Sequence, residues 1–561
     1  MRLKLNVDKE SLLFSIVVVV IYVLVFYRLL VASYFSLIDL EPPPPHLQFP
    51  SSTPIDYYAH GAVSEIGLGV YIYYYLSLIF GSWNLIKIFA FIPFPVGTIS
   101  FYYVAKYFTN DLKKSPLRII LRYIVPFIYI LNPGTAQIFY TGDSPTVLLI
   151  YSFMPLVYYL SYKIYKYKNL NYFIILTIIV SVLNVLFYQA FYYAFLFEVP
   201  ILIIAIVDSI KLHFKSILLI LLADVIAFLS NVSQEIAFEL FVVPTVSHIS
   251  TFPVIEVSSF PTFLLISIFI LLVIFGIYEK NRLLISSTIP LGLLLFIFTY
   301  FSITPVHIPL IGSIILSLTT FESKIFMFAI GLISISLIHV RIKKLFLFVI
   351  LIIILSSFLP SIAYYPLHDT YDLFTFNPVK YEVNYTALST IYRYLSEHDP
   401  LFTAMYSSTG TISPVYQSFI PMISGVITNL SEENLTLQGI KYIISTQELN
   451  YSYLVLVYNV SNEYYIYYNE GFHGISYFLN GTPANVKLEN GEIIGERNAV
   501  VLIYYNPYWT NATDYNNYIL LRGNISRFAY TTIQDFLMSI DVISLISPFI
   551  ILMLRKILNV I

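Results

Sequence analysis

Apolar residues run almost unbroken through a dozen stretches of the chain, and charged residues gather in the short intervals between them. The stretches near 12–35, 84–107, 118–132, 144–162, 171–188, 190–209, 216–230, 260–279, 283–303, 324–340, 344–360 and 537–554 are each close to the roughly 20 residues that a bilayer core demands, the third and seventh being short. They predict about twelve transmembrane helices. Residues 62–80 are equally apolar, but a crossing there would move Lys113 and Lys114 to the opposite side, so this segment reads as an interfacial or re-entrant helix. After Pro360 the pattern changes. Short Tyr/Val/Ile-rich runs at Tyr453–Val460, Glu463–Glu470, Ala499–Asn506 and Asn517–Asn524 read as strands, Asn490-Gly491 as a two-residue hairpin turn, and Thr386–Ser396 as a helix. The expected fold class is a polytopic α-helical membrane protein with a β-rich extracytoplasmic domain. Residues 1–360 form the transmembrane part, with 35–83 as its acidic outer loop; 361–536 form the β-rich domain, and 537–561 hold a closing transmembrane helix.

Composition agrees with that pattern. Of 561 residues 58% are hydrophobic and 11% charged, against roughly 25% charged in an average soluble domain. With a mean hydropathy of +0.78, there is more apolar surface than one water-soluble core can hide, which excludes a cytosolic globular enzyme. The formal net charge of -2 implies neither nucleic acid nor an acidic partner. Cysteine is absent, so disulfides, thiolate metal sites and cysteine nucleophiles are excluded together.

The basic residues fix an orientation. Arg2, Lys4 and Lys9, the Lys106–Arg122 cluster, Lys163/Lys166/Lys168, Lys211/Lys215, Lys280/Arg282, Arg341/Lys343/Lys344 and Arg555/Lys556 fall on one side of the twelve-span solution and hold 20 of the 30 Lys and Arg residues. By the positive-inside rule that side is cytoplasmic and carries both termini of a multi-pass cell-membrane protein. Eight Asn-x-Ser/Thr sequons then lie in the outer domain, at Asn384, Asn429, Asn434, Asn450, Asn459, Asn480, Asn511 and Asn524, and a ninth at Asn231 in an outer loop. Each is a candidate glycosylation site.

No P-loop, GxSxG, HExxH or EF-hand pattern is present, so an ATP-driven pump and a metalloprotease have no support. The candidate chemistry is a constellation of outer-face residues. In the first outer loop Asp39 and Glu41 precede the Pro42–Pro45 tract, and Asp56 and His60 follow it. A carboxylate beside a hydroxyl can take its proton as the oxygen attacks an electrophilic carbon. Asp39 and Glu41 together can also hold a hard divalent cation, although no metal site is predicted outright. A phosphate-bearing substrate needs a cation, and the outer side offers Arg28, Lys87 and Lys324, with His307 in the loop before Lys324 and Glu322 two residues before it. Each has a structural alternative: loop acids are solvated, Lys324 pairs with Glu322 or snorkels, and Arg28 reaches the headgroups. Asp143, in Gly142-Asp143-Ser144-Pro145, either caps the fourth span or faces the same outer space. Glu198 and Asp224 lie deep in predicted spans, where carboxyls are costly and face a cavity or a partner.

The arrangement resembles a GT-C membrane glycosyltransferase, and within that group the YfhO-type family and its archaeal relatives. Asp56-x-x-x-His60 is similar to the family's Asp-x-x-x-His in the first loop. Tyr73–Phe108 is similar to its interfacial helix, Gly-Ser-Trp turn and second span, and Asn132–Tyr159 to its third-to-fourth-span region. Phe321–Phe326 resembles its Phe-Arg-x-x-Lys-Phe, with Glu322 in place of the arginine, which departs from the phosphate-site pattern. In the outer domain Leu437–Ile444 and Val501–Trp509 resemble two of its strands.

The resemblance implies transfer of a sugar from a polyprenyl- or dolichyl-phosphate donor to a glycan, lipid or protein acceptor on the extracytoplasmic side. Asp56 would be the base, with Asp39 or Glu41 next and His60 beside it. Lys324, aided by His307 or Arg28, would hold the departing phosphate, and Asp143 and Glu322 would line the substrate site. Two other classes remain open: a non-enzymatic membrane protein that anchors or assembles a glycosylated surface layer, and a transporter or lipid flippase built around Glu198 and Asp224.

Overall fold

The computed structural model describes residues 8–27, 30, 55–56, 62–63, 67–112, 116–132, 134–135, 138–139, 145–186, 190–237, 260–301, 322–341, 385–398, 403–407, 423–489 and 492–558. The expected span at 344–360 lies outside them. The chain divides into two compact units. One comprises Met1–Leu37, Asn84–Pro378 and Ile540–Ile561; the other comprises Ile38–Trp83 and Val379–Ser539. The loop segment 38–83 therefore groups with the strand-bearing unit, where Asp535 lies near Tyr71, and not with the helices that flank it in sequence.

In chain order the first elements are α1 (Lys9–Val25), a two-stranded ribbon of β1 (Ile55–Asp56) and β2 (Ala62–Val63), α2 (Leu68–Phe80), α3 (Ser82–Phe91) and α4 (Pro93–Phe108). They are followed by α5 (Pro116–Ile119), a π-turn at Ile120–Ile124, α6 (Val125–Ile130), α7 (Pro145–Tyr167), α8 (Leu170–Leu186) and α9 (Ala190–Leu229). The helical unit continues with α10 (Val232–Ala237), α11 (Phe260–Tyr278), α12 (Arg282–Phe301) and α13 (Glu322–Leu337). Among the described residues four helices are long and apolar enough to cross a membrane: Asn84–Phe108, Val147–Tyr167, Ala190–Leu229 and Tyr530–Leu554. Leu170–Leu186, Leu265–Tyr278, Arg282–Leu295 and Phe326–Leu337 are apolar but shorter. Leu13, Ile16, Val20 and Leu24 form an exposed stripe along α1, an outward apolar surface that water would not tolerate on this scale and that lipid solvates.

The 40-residue α9 is two helices. Ser209 has φ 174 and ψ 119, one extended residue that breaks the ladder. Its halves run back along one another: at the break, Tyr165 donates to Asp208 while the Ser216 hydroxyl approaches the Tyr165 carbonyl at 3.5 Å. At the opposite end the Asn184 amide accepts from the Phe191 N–H at 3.2 Å and donates to the Ala227 carbonyl at 2.8 Å. The π-turn has a local cause too. Pro126 lacks an N–H, and its ring would strike the carbonyl of residue 122 in a regular helix, so the turn widens.

The second unit adds α14 (Tyr385–Glu397), β3 (Thr403–Tyr406), β4 (Ile423–Ile427), α15 (Glu432–Leu437), β5 (Tyr442–Ser445), β6 (Leu454–Val460) and β7 (Tyr464–Asn469). These are followed by β8 (Ser476–Phe478), β9 (Val486–Glu489), β10 (Glu492–Gly495), β11 (Ala499–Tyr504), β12 (Ala512–Tyr515), β13 (Tyr518–Leu521) and β14 (Ile525–Arg527), and α16 (Tyr530–Leu558) leads out of it. A five-stranded sheet has the order β4-β3-β5-β7-β6, with β3 parallel to both β4 and β5 and the other pairs antiparallel. It is covered on both faces. Met405, Tyr442, Ile444 and Ile466 pack on Ile391 and Leu395 of α14, while Ala404, Ile443 and Tyr467 pack on the other side with Leu435 of α15. The strict alternation of 442, 443 and 444 between the two cores is the period of a strand. Two antiparallel sheets follow, β12-β13-β11-β8 and β14-β10-β9.

Candidate functional site

The outer-face constellation is only partly within the described residues. Asp56 ends β1, with its backbone paired to Ala62, whereas His60 lies outside the described residues. Asp39, Glu41, Arg28, His307 and Asp143 also lie outside them. Glu322 and Lys324 are in the first turn of α13. Asp56 and Lys324 fall in separate compact units.

Asn132, part of the Asn-Pro-Gly segment, has a structural task. It is buried, its Nδ2 donates to the Tyr129 carbonyl at 2.7 Å, and its Oδ1 accepts from the Thr135 N–H at 3.0 Å. Tyr129 stacks on Tyr151 with ring centroids 4.3 Å apart. Polar satisfaction of a chain reversal explains this motif without a ligand.

The charged ends of the helices do converge. Lys106 at the end of α4 meets Asp8 at 2.6 Å and Glu10 at 3.5 Å. Tyr123 donates to Glu10 at 2.6 Å, and Arg122, buried in the π-turn, donates from Nε to Thr109 at 2.9 Å. The hydrogen bond from the Lys106 ammonium holds the Asp8 carboxyl well below its ordinary range, and the hydrogen bond from Tyr123 lowers that of Glu10. Arg341 after α13 reaches Asp111 at 3.5 Å and the Phe108 carbonyl at 2.9 Å, while its N–H donates to Glu279 at 3.0 Å. Arg282 at the start of α12 binds Asp208 at 2.6 Å. These are the ends that the charge pattern assigns to one side. Sequence reasoning found the cations there and missed the carboxylates that bind them, because the partners are distant in the chain: Lys106 and Asp8 are 98 residues apart, and Arg341 and Asp111 are farther apart still.

Inside the helical unit lies a different kind of site. The carboxyls of Glu198 and Asp224, one on each half of α9, face one another. Glu198 is 0% and Asp224 8% exposed. The Ser161 hydroxyl of α7 lies 2.9 Å from the Val157 carbonyl and 3.3 Å from Glu198 Oε1, whereas Glu198 Oε2 and both Asp224 oxygens have no hydrogen-bond partner outside the pair. On α7, Tyr158 is bonded to His339 at 2.7 Å, and the Lys163 ammonium sits 3.9 Å over the Tyr107 ring.

The sequons divide into two kinds. Asn429, Asn450, Asn459, Asn480, Asn511 and Asn524 are exposed on the second unit, and Asn434 is half-buried. Asn384 lies outside the described residues. Asn231 is 0% exposed, and its Nδ2 donates to the Asn184 carbonyl at 2.7 Å and to Gln234 at 3.1 Å. The expectation of glycosylation at Asn231 is therefore corrected: its nitrogen is enclosed and occupied, and a saccharide there has no room in this fold. The sequon motif carries no information on burial.

Among the described residues no group of three or more His, Cys, Asp or Glu side chains converges as a metal site. No family model matches the chain, and no curated protein matches it.

Proposed function

We propose that the chain is a membrane glycosyltransferase that moves a sugar from a polyprenyl- or dolichyl-phosphate donor to a glycan, lipid or protein acceptor at the extracytoplasmic face. The observation that carries this reading is the order of parts. A first apolar helix is followed by a hairpin bearing Asp56, then by the 13-residue apolar helix α2, too short to span a bilayer, then by a helical unit and a strand-rich unit with exposed sequons. The ion pairs at Asp8–Lys106, Asp111–Arg341 and Asp208–Arg282 support twelve alternating spans with the basic ends in the cytoplasm, because they tie together helix ends that this topology puts on one side.

In this reading an acceptor hydroxyl oxygen attacks the anomeric carbon of the donor. Its proton passes to the Asp56 carboxylate, the bond from that carbon to the phosphate oxygen breaks, and the lipid phosphate departs toward Lys324, assisted by His307 or Arg28. Rate enhancement comes from holding the two reactants together and from stabilising the charge on the leaving phosphate. Asp39 and Glu41 are the next candidates for the base. The test is Asp56→Asn in cells that carry the protein, read by mass spectrometry of surface glycans. Loss of one glycan species with the protein still inserted is the expected result; unchanged glycans overturn the assignment.

A further inference from the structure

Glu198 and Asp224 are buried acids that face one another, with no lysine or arginine bonded to either among the described residues. Asp8, Asp111 and Asp208 each pair with a lysine or arginine at a helix end, and Asp541 accepts from Ser233. Glu198 and Asp224 have each other and one serine. Glu198 lies eight residues from the Ala190 end of its half and ten from Asp208, about 12 Å and 15 Å along the helix at 1.5 Å per residue, which is the middle of the unit. Orphaned carboxyl oxygens at that depth are among the most costly arrangements a membrane protein can keep, and such acids mark ion or proton sites when no basic residue accompanies them.

Among the described residues the surrounding helices supply no such basic residue. On α7, Lys163 is held over Tyr107 and Tyr158 by His339; on α9 itself, Tyr192 donates to Glu235 and Asp208 binds Arg282, the basic residue that α12 brings. From α8, Thr177 donates to the Phe173 carbonyl at 2.9 Å, and Asn184 is spent on Phe191 and Ala227 at the far end. Beside Glu198 stands Ser161, its hydroxyl 3.3 Å from Oε1 and bonded to the Val157 carbonyl at 2.9 Å, which leaves the hydroxyl oxygen as a candidate fourth ligand beside Glu198 Oε2 and the two Asp224 oxygens.

We propose that Glu198, Asp224 and Ser161 form a binding site for one small hard cation, a proton or a sodium ion, held between the two carboxyls in the middle of the helical unit. The site is separate from the outer-face constellation. All-oxygen donors suit a hard ion and disfavour a soft one. A single positive charge leaves the two carboxyls with one net negative charge in place of two, and so relieves their repulsion.

Full-length protein in detergent tests the proposal by thermal unfolding in sodium chloride against choline chloride at equal ionic strength, at about pH 5.5 and about pH 7.5, both above the ordinary carboxylate range. If the ion is sodium, the wild-type midpoint rises with sodium at the higher pH and the Glu198→Gln/Asp224→Asn variant does not respond. If it is a proton, acidification stabilises the wild type relative to that variant and sodium has no effect. Equal responses of the two proteins to both variables overturn the site. Should the double variant fail to fold, wild type and Ser161→Ala decide. For sodium, Ser161→Ala raises the half-saturation of radioactive sodium binding by about tenfold, the scale of one charge-assisted contact. For a proton, the infrared band of a protonated carboxyl persists at the higher pH and shifts in Ser161→Ala. Absence of both sodium binding and a Ser161-sensitive band removes the proposal.

Discussion

The Asp541 carboxylate accepts a hydrogen bond from the Ser233 N–H at 3.2 Å and another from the Ser233 hydroxyl, across 308 residues of chain. The Val232 N–H bonds to the same side chain. Asp541 therefore caps α10 from another helix: the first N–H groups of a helix have no partner within it, and an acidic side chain from α16 supplies one. The cap fastens the final helix to the helical unit near Asn231. Asp541→Ala is expected to cost about 1–2 kcal/mol, the upper range for a lost cap, and to lower the unfolding midpoint in detergent. Asp541→Asn, which keeps an acceptor, should retain most of the stability. Equal midpoints for Ala and wild type would show that the cap holds nothing.

The cluster around Lys106 makes stability depend on acid. Asp8 and Glu10 have folded-state values below their unfolded ones, so their contribution is whole above about pH 4, the unfolded value, and is lost as pH falls through the lower folded values. Unfolding midpoints between about pH 3 and about pH 6 should fall toward acid in the wild type, and less steeply in Lys106→Met. A parallel fall in both would assign the acid sensitivity to other groups.

The exposed sequons and Asn231 separate in one experiment. Expressed in a host that attaches N-glycans, Asn→Gln changes at Asn429, Asn450, Asn459, Asn480, Asn511 and Asn524 are expected to raise gel mobility wherever the second unit is extracytoplasmic. Asn231→Gln leaves mobility unchanged. Asn231→Ala should instead destabilise the fold by about 1–3 kcal/mol, because the Asn184 carbonyl loses its donor inside the protein. A mobility step at Asn231 would contradict the enclosed position.

Gly331 has no room for a side chain. A Cβ there would come 2.9 Å from the Tyr151 ring and hydroxyl and 3.0 Å from Phe197. Gly331→Ala should therefore cost about 1–3 kcal/mol by overpacking, and Gly331→Ala combined with Tyr151→Phe should recover only part of it, since the ring remains. A midpoint unchanged in Gly331→Ala would mean that α13 can move away from α7.

Local pattern made much of the fold legible. The expected strand at Tyr453–Val460 is Leu454–Val460, the helix near Thr386–Ser396 is Tyr385–Glu397, and Glu489 pairs with Glu492 on either side of Asn490-Gly491, which lie outside the described residues. The halves of α9 fall where the runs 190–209 and 216–230 place them. Parallel pairing was not legible. Thr403–Tyr406 contains Ala404 and Met405, which carry little strand preference, and its partners come from distant sequence; burial on both faces, not local propensity, makes it a strand. The same limit applies to the sites. Glu198 and Asp224 were conspicuous as acids in apolar runs, but their meeting depends on the reversal at Ser209, and no spacing rule announces Ser161 or Asp541.

That reversal also bears on how the protein is made. The ribosome delivers residues 190–208 before 210–229, so Glu198 would enter the bilayer ahead of its partner, at a translocation penalty of about 3 kcal/mol for a lone central acid. A bend of one extended residue leaves no slack for the first half to settle independently. The two halves are thus expected to leave the translocon as a single hairpin, with both acids already turned inward. A nascent chain truncated at Ser209 should integrate less completely than one extended through Leu229, making the one-residue turn at Ser209 the checkpoint of its biogenesis.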